Sequence, residues 1–237
     1  MKKEIKNYLT FNLLAPLLNY LGQNLDVLAK RNTYLRKIVN KDLFLWDAKE
    51  FISVNGISGD YYEFGLSACR TFKKAIKIFS SHIQHYYGFD SFRGLPEPKL
   101  GDSHHTWTPG VVKTAGDAKF HRELLIKKGF DQNSFTFVEG FFEKTLPLFN
   151  PSRKASVIFI DCDYISSLKT VLDFIPQVLQ DGTLIHFDDF FCYKGNPQTG
   201  QQKVFADFCA KQSDFQFSEY NNYPPFAKTF IANKKII

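Results

Sequence analysis

No part of this chain constrains the fold as tightly as the stretch from Ala155 to Phe190. It opens with an apolar run, Val157-Ile158-Phe159-Ile160, that stops abruptly at Asp161 and Asp163. A run too short for a helix and bounded by polar residues reads as a strand buried on both faces, as parallel sheets require. Ser166 or Ser167 can cap the helix that follows, where Leu168, Val171, Leu172, Ile175 and Leu179 recur at helical spacing. Gly182 ends that helix, and Thr183–Phe187 is a second short apolar run that also ends in carboxylates, Asp188 and Asp189. Strand, helix, strand with acids at both carboxyl ends is a βαβ unit, and open α/β sheets bind ligands outside those ends. If the two strands are neighbours, about 4.8 Å apart, Asp161 and the Asp188–Asp189 pair meet around one point.

Carboxylates gathered at one point repel one another, so protonation, a basic side chain or a cation must compensate. A hard divalent ion such as Mg²⁺ suits oxygen ligands and keeps some sites for water or substrate oxygens. Such an ion can lower the pKa of a bound water from about 15.7 to roughly 7–9, and a substrate hydroxyl is acidified by the same field. The plainer role for one strand-end Asp is to cap a helix. Acids paired at the ends of both strands favour the ion.

The rest of the chain supplies a sheet around that unit. With 237 residues, 44% hydrophobic and 16% aromatic, it can build one full core and carry a helical extension. Residues 1–50 read as that extension, with Ile5, Leu9, Leu13, Leu17 and Leu21 at spacing four and a break at Pro16. It is expected to be a plain packing helix, with a sheet-edge cover, a lid or a contact between two copies in a homo-oligomer as alternatives. Residues 51–237 are then expected to form the α/β domain. Tyr61–Phe64 is the first strand, Gly65 a tight turn, and a helix begins near Arg70 with Phe72, Ile76 and Phe79 inward. His82–Phe89 is the second strand, ending at Asp90, an acid that suits the two hydroxyls of a ribose. A long polar loop, Ser91 to Gly116, holds His104, His105 and Trp107; loops of that length are usually functional, so it is expected to cover a substrate, with Trp107 a stacking surface. The two histidines are expected to bind no metal. A helix from Asp117 to Lys128, a third strand at Ser134–Val138, a fourth at Ser156–Ile160 and a fifth at Thr183–Phe187 follow. After a helix around Val204, Phe205 and Phe208, the segments FQFSEY and FAKTFIAN make an antiparallel pair with NNYPP as the turn.

Charge and cysteine content narrow the setting. The net charge of +6 is spread over short clusters such as Lys73/Lys74/Lys77, with no Arg-rich strip interleaved with aromatics, so nucleic acid is not an expected partner. A mild preference for anionic substrates is all this charge implies. No stretch is long and apolar enough to span a membrane, the start MKKEIKNYLT has no signal-peptide pattern, and four cysteines without CxxC spacing fit reduced thiols in the cytoplasm.

Taken together, the EFG after the first strand, FDSFRGLPEP after the second, DCDYISSLKTVL and GTLIHFDDF resemble the macrocin O-methyltransferase family. The resemblance runs from about Tyr61 to Ala232. It implies a Rossmann-like α/β fold: a mostly parallel sheet of seven strands with a C-terminal antiparallel hairpin, flanked by helices. It implies an S-adenosylmethionine-dependent O-methyltransferase, aided by Mg²⁺, that acts on a hydroxyl of a sugar, a sugar-containing natural product or a polysaccharide. By the same resemblance Glu63 and Gly65 lie beside the methionine part of the cofactor, Asp90 and Ser91 at its ribose, and Glu139 and Gly140 at its adenine. Asp161, Asp188 and Asp189 match the metal positions, with Asp161 shared between metal, cofactor and catalysis, and Asp163 matches a general base. Two positions depart from the family pattern: Cys69 stands where Gly is usual, and Cys162 replaces a Gly between the acids. Cys162 is expected to point away from the site if Asp161 and Asp163 point into it. His186, inside the fifth strand, is expected to pack in the sheet. Two readings stand beside this one. A metal-independent methyltransferase or cofactor-binding relative would use the same acids structurally, and a nicotinamide-dependent oxidoreductase would need the Gly-rich fingerprint that this chain lacks.

Overall fold

The computed structural model describes residues 33–236, Val112 excepted; the helical pieces expected within residues 1–32 lie outside the described residues. In chain order the elements are α1 (Thr33–Val54), β1 (Gly59–Phe64), α2 (Arg70–Phe79), β2 (Ile83–Asp90), α3 (Ala118–Lys127), β3 (Phe135–Glu139) and the one-turn α4 (Phe142–Thr145). There follow β4 (Ala155–Ile160), α5 (Ile165–Phe174), β5 (Thr183–Phe187), α6 (Gly200–Lys211), β6 (Phe215–Tyr223) and β7 (Ala227–Lys234). The compact unit that holds the sheet begins at Phe44, and Phe44, Leu45, Ala48 and Ile52 of α1 are all buried in its core.

One seven-stranded sheet runs in the order β3-β2-β1-β4-β5-β7-β6. The first five strands pair in parallel and β7 turns back antiparallel on β5 and β6. β4 and β5 are indeed neighbours, with Ile160 opposite Phe187, and the strand order reverses between β1 and β4. That reversal opens a crevice at the carboxyl ends, the place where such sheets take ligands.

Each strand feeds two cores because successive side chains point to opposite faces. Tyr62, Phe64, Ile158 and Ile160 pack on one face with Leu168, Leu172 and Phe205 from α5 and α6. Tyr61, Val157 and Phe159 pack on the other with Phe44 of α1 and Phe72, Ile76 and Phe79 of α2. Completely burying a Phe or Ile contributes about 1.5–3 kcal/mol relative to leaving it exposed, so β1 and β4, buried along their whole length, are the anchor of the fold. His186 belongs to this core as expected: it stacks on Phe44 at 3.9 Å, and its Nδ1 lies 2.8 Å from the Thr229 hydroxyl.

Two local readings differ from the sequence expectation. The hairpin strand β6 runs on through Asn221 and Asn222, which pair with Thr229 and Lys228, so ladder pairing overrides the poor strand propensity of Asn. The N-cap of α5 is Tyr164, with no side-chain cap from within the helix; Ser166 is instead bonded by a residue from far away, described below. Among the described residues no helix is long and apolar enough to cross a membrane.

Candidate active site

The first strand ends in a joint that only glycine can make. Gly65 has φ +92, and a Cβ there would lie 2.0 Å from the Asp161 carbonyl oxygen. Its N–H donates to Phe89 O at 2.9 Å, while the Asp161 N–H donates to Phe64 O at 2.8 Å. The chain leaving β1 is thus wedged between the ends of β2 and β4. It continues to α2 through Ser67 and Cys69, both left-handed, at φ 44 and 54. Cys69 is completely buried at the N-cap of α2. Its backbone takes the left-handed conformation that suits Gly, and the thiol, pushed well up by burial, is an inert core group.

Asp90 holds this turn. Its Oδ2 accepts from the N–H groups of Leu66 and Ser67 at 2.6 and 2.9 Å, and its Oδ1 from that of Phe92 at 2.6 Å. Backbone amides from two loops therefore converge on one carboxylate. An ionised carboxyl has about four acceptor sites, so one remains after these three bonds. Ser91, nearly buried, donates to Gly94 O and accepts from Arg93 N–H, both at 3.1 Å, folding the start of the loop. Glu63 is buried beneath the turn and accepts from the Tyr61 hydroxyl at 2.6 Å; burial and then the Glu63 charge push that phenol well up. At the outer side, Gly140 donates to Asp90 O at 3.0 Å, and exposed Glu139 accepts from Ala118 N–H at 3.3 Å at the start of α3. Glu63, Gly65, Asp90, Ser91, Glu139 and Gly140 thus line the ends of β1, β2 and β3.

The second half of the site is acidic. Asp161 follows β4, and Asp188 and Asp189 follow β5, where Asp188 N–H donates to Ile160 O at 2.9 Å and carries the parallel ladder to the last residue. One carboxylate oxygen from each of the three lies within 4.8 Å of the others. Asp188 and Asp189 are almost fully buried, and the Cys192 thiol donates to Asp189 Oδ1 at 3.5 Å. Three hard oxygen donors at one point, two of them buried, could hold a divalent cation of the Mg²⁺ kind.

Asp163 stands outside that set of three. It occupies a tight turn at φ 58, where Tyr164 N–H donates to Cys162 O at 2.6 Å. Gln201 Nε2 donates to the Asp163 carbonyl at 3.4 Å. Cys162 is buried in the same core cluster as Leu168 and Phe187. His104 and His105 also lie outside the acid cluster: His104 stacks on Trp107, and its Nδ1 is 2.9 Å from the Thr106 hydroxyl.

One organising residue escaped sequence reasoning. Asp102, in the middle of the long loop, is completely buried. It accepts from Ser166 N–H at 2.8 Å, from the Ser166 hydroxyl at 2.6 Å and from Lys99 N–H at 2.7 Å. A carboxylate at the start of a helix satisfies open backbone donors and meets the positive end of the helix dipole. The loop is pinned there, 64 residues away along the chain.

Comparison with known proteins gives the family and the fold. A sequence profile described as Macrocin-O-methyltransferase (TylF) matches residues 42–211. Among solved structures, the calicheamicin methyltransferase CalS11 is similar at TM-score 0.67 and 18% identity over 97% of this chain and 90% of that one. The O-methyltransferase NovP is similar at TM-score 0.64 and 15% identity, over 83% and 81% of the two chains. The O-methyltransferase TomG from Streptomyces achromogenes, solved with S-adenosylmethionine, is similar at TM-score 0.51 and 12% identity, over 82% and 78%. No curated protein sequence matches the chain.

Proposed function

The chain belongs to the macrocin O-methyltransferase family and is an S-adenosylmethionine-dependent O-methyltransferase; from that premise we propose that it methylates a hydroxyl of a sugar, a sugar-bearing natural product or a polysaccharide, with Mg²⁺ assistance. The observation that carries the metal is the meeting of Asp161, Asp188 and Asp189 within 4.8 Å. The sugar is suggested by CalS11, itself described as a TDP-rhamnose 3'-O-methyltransferase. Four cysteines free of disulfides suit a reducing, cytoplasmic setting.

The residues divide the work. Glu63, Gly65, Asp90, Ser91, Glu139 and Gly140 would hold the cofactor, which supplies a methyl group already activated on a sulfonium. Asp161, Asp188 and Asp189 would hold the cation, which supplies the charge that offsets their mutual repulsion and acidifies an acceptor hydroxyl. The protein must then orient the acceptor oxygen and remove its proton. Asp163, at the mouth of the same strand, is the residue we assign to take that proton. An ordinary Asp carboxyl has a pKa of about 3.9 and is a weak base, so the acidification must come mainly from the charge beside it. A metal-independent reading would leave Asp161, Asp188 and Asp189 a structural role, and one experiment separates the two. Titration calorimetry with S-adenosylhomocysteine and with Mg²⁺ should give two separate heats. Asp188→Ala should abolish the Mg²⁺ heat, preserve cofactor binding and lower methyl transfer by about a hundredfold. Full activity in a strong chelator would exclude the metal, and no binding of S-adenosylhomocysteine would sink the whole reading.

A further inference from the structure

Beyond the acid cluster lies a group of aromatic side chains that neither cofactor nor metal requires. His104 and Trp107 of the long loop stack at 3.9 Å with 25° between their planes. Tyr193, four positions after Asp189, packs against both, at 5.3 Å from His104 and 5.6 Å from Trp107. Its ring is tilted by 60° to the indole, so the two do not close face to face. All three are partly exposed, whereas Phe64, Phe89, Phe159 and Phe187 are fully buried.

The group is fixed from several sides. The Tyr164 hydroxyl, next to Asp163, donates to the Trp107 carbonyl at 3.4 Å, and the Tyr193 hydroxyl donates to the Asp102 carbonyl at 3.5 Å. Asp102 in turn is bonded to the start of α5, so the loop is tied to the helix that leaves the Asp163 turn. Tyr193 and Lys194 both hold left-handed backbone, at φ 62 and 63, which costs a non-glycine residue about 1–2 kcal/mol each. Gly200 supplies the space for it: a Cβ there would stand 2.7 Å from Tyr193 Cβ. The Asp102 and Asp163 charges also act on the Tyr193 phenol, which burial already pushes up, so it stays protonated and able to donate.

We infer that Trp107 and Tyr193 form the acceptor wall of this enzyme, on which the apolar face of a sugar ring stacks while its hydroxyl turns toward the acids. This rests on the methyltransferase reading above. Binding sites of this sort combine aromatic surface with a few placed polar groups, and rigid Trp and Tyr offer area at little loss of side-chain freedom. The wall belongs to two segments, one in each of the loops after β2 and β5. Its spacing selects acceptors by ring shape, and the residues act as specificity determinants outside the proton-transfer machinery.

The test uses the full chain, labelled S-adenosylmethionine, Mg²⁺ and a panel of free hexoses, 6-deoxyhexoses and their nucleoside-diphosphate derivatives. With the best acceptor, Trp107→Ala should raise KM roughly tenfold and change kcat by less than about threefold, while Trp107→Phe restores most of the loss. S-adenosylhomocysteine affinity and the unfolding temperature of Trp107→Ala report whether the protein remains folded, and Tyr193→Ala, which removes the second ring, should likewise raise the acceptor KM. Acceptor KM unchanged in Trp107→Ala, with wild type active, overturns the wall and leaves the methyltransferase intact. A wild type that transfers methyl to no sugar of the panel overturns the sugar reading and the wall with it.

Discussion

The ends of β1 and β2 and the ends of β4 and β5 both present carboxylates to the same crevice, but they treat them differently. Asp90 is surrounded by the chain's own donors, with three backbone N–H groups between 2.6 and 2.9 Å. Asp161, Asp188 and Asp189 bring one carboxylate oxygen each within 4.8 Å of one another. The first carboxylate stabilises the folded chain by accepting charge-assisted bonds. The second group gathers like charge in a partly buried place, which favours a cation there. One half of the site is therefore held by backbone amides, and the other is the half for which a cation is proposed.

That contrast can be broken or sharpened by substitution. The largest effect belongs to the joint between the halves. Gly65→Ala places a methyl 2.0 Å from Asp161 O and forces L-residue strain at φ +92, so a loss of at least about 3 kcal/mol is expected. Thermal melting should fall by roughly 6–12 °C, and an unchanged melt would show that the turn relaxes. Next come two substitutions of opposite sign. Asp90→Ala leaves three amides without their acceptor and should destabilise by about 2–3 kcal/mol. Asp188→Asn, in metal-free buffer, removes one repelling charge and should leave stability equal or higher. Urea unfolding of both variants reads this directly; equal losses in the two would erase the distinction between the halves.

The smallest effect is a pH dependence on the cofactor side. His121 is nearly buried and stacks on Phe92, just beyond Asp90. Burial first, and then the Lys73 charge, hold its pKa below the ordinary value of 6.5. A depressed folded pKa means that the unfolded chain binds the proton more tightly, so this stability is fully present above pH 6.5 and lost as pH falls below it. His121→Gln should flatten the loss of stability on acidification in that range, with little change at pH 8. A slope unaltered by the substitution would assign the acid sensitivity to other groups, such as half-buried His85, whose pKa is lowered in the same direction.

What could be read from the sequence follows the same division between local and distant causes. Apolar runs that stop at acids are local signals, and they located β4, β5 and the cluster of Asp161, Asp188 and Asp189, because neighbouring parallel strands bring their ends together. The family pattern flagged Cys69 as a place for Gly, and the left-handed backbone there supplies the physical reason. Asp102 left no such trace. It is one polar residue in a polar loop, and its partner Ser166 is 64 positions away. Ser166 or Ser167 suits the cap of its own helix by type, but the Ser166 N–H and hydroxyl are directed to Asp102 instead. The bonds Asp90 makes to Leu66 and Ser67 were equally hidden, since a strand-end acid reads the same whether it faces a ribose or a turn.

The contact of Gly65 with the Asp161 carbonyl also bears on how the two halves of the proposed site could be linked. The glycine turn would face the cofactor and Asp161 the cation, and only a hydrogen atom fits between the two pieces of backbone. A displacement of either piece is passed to the other, for there is no side chain to absorb it. Were occupancy on one side to alter affinity on the other, thermodynamic reciprocity would require the same factor in both directions. The bare hydrogen of one residue is the place where such a coupling would be carried.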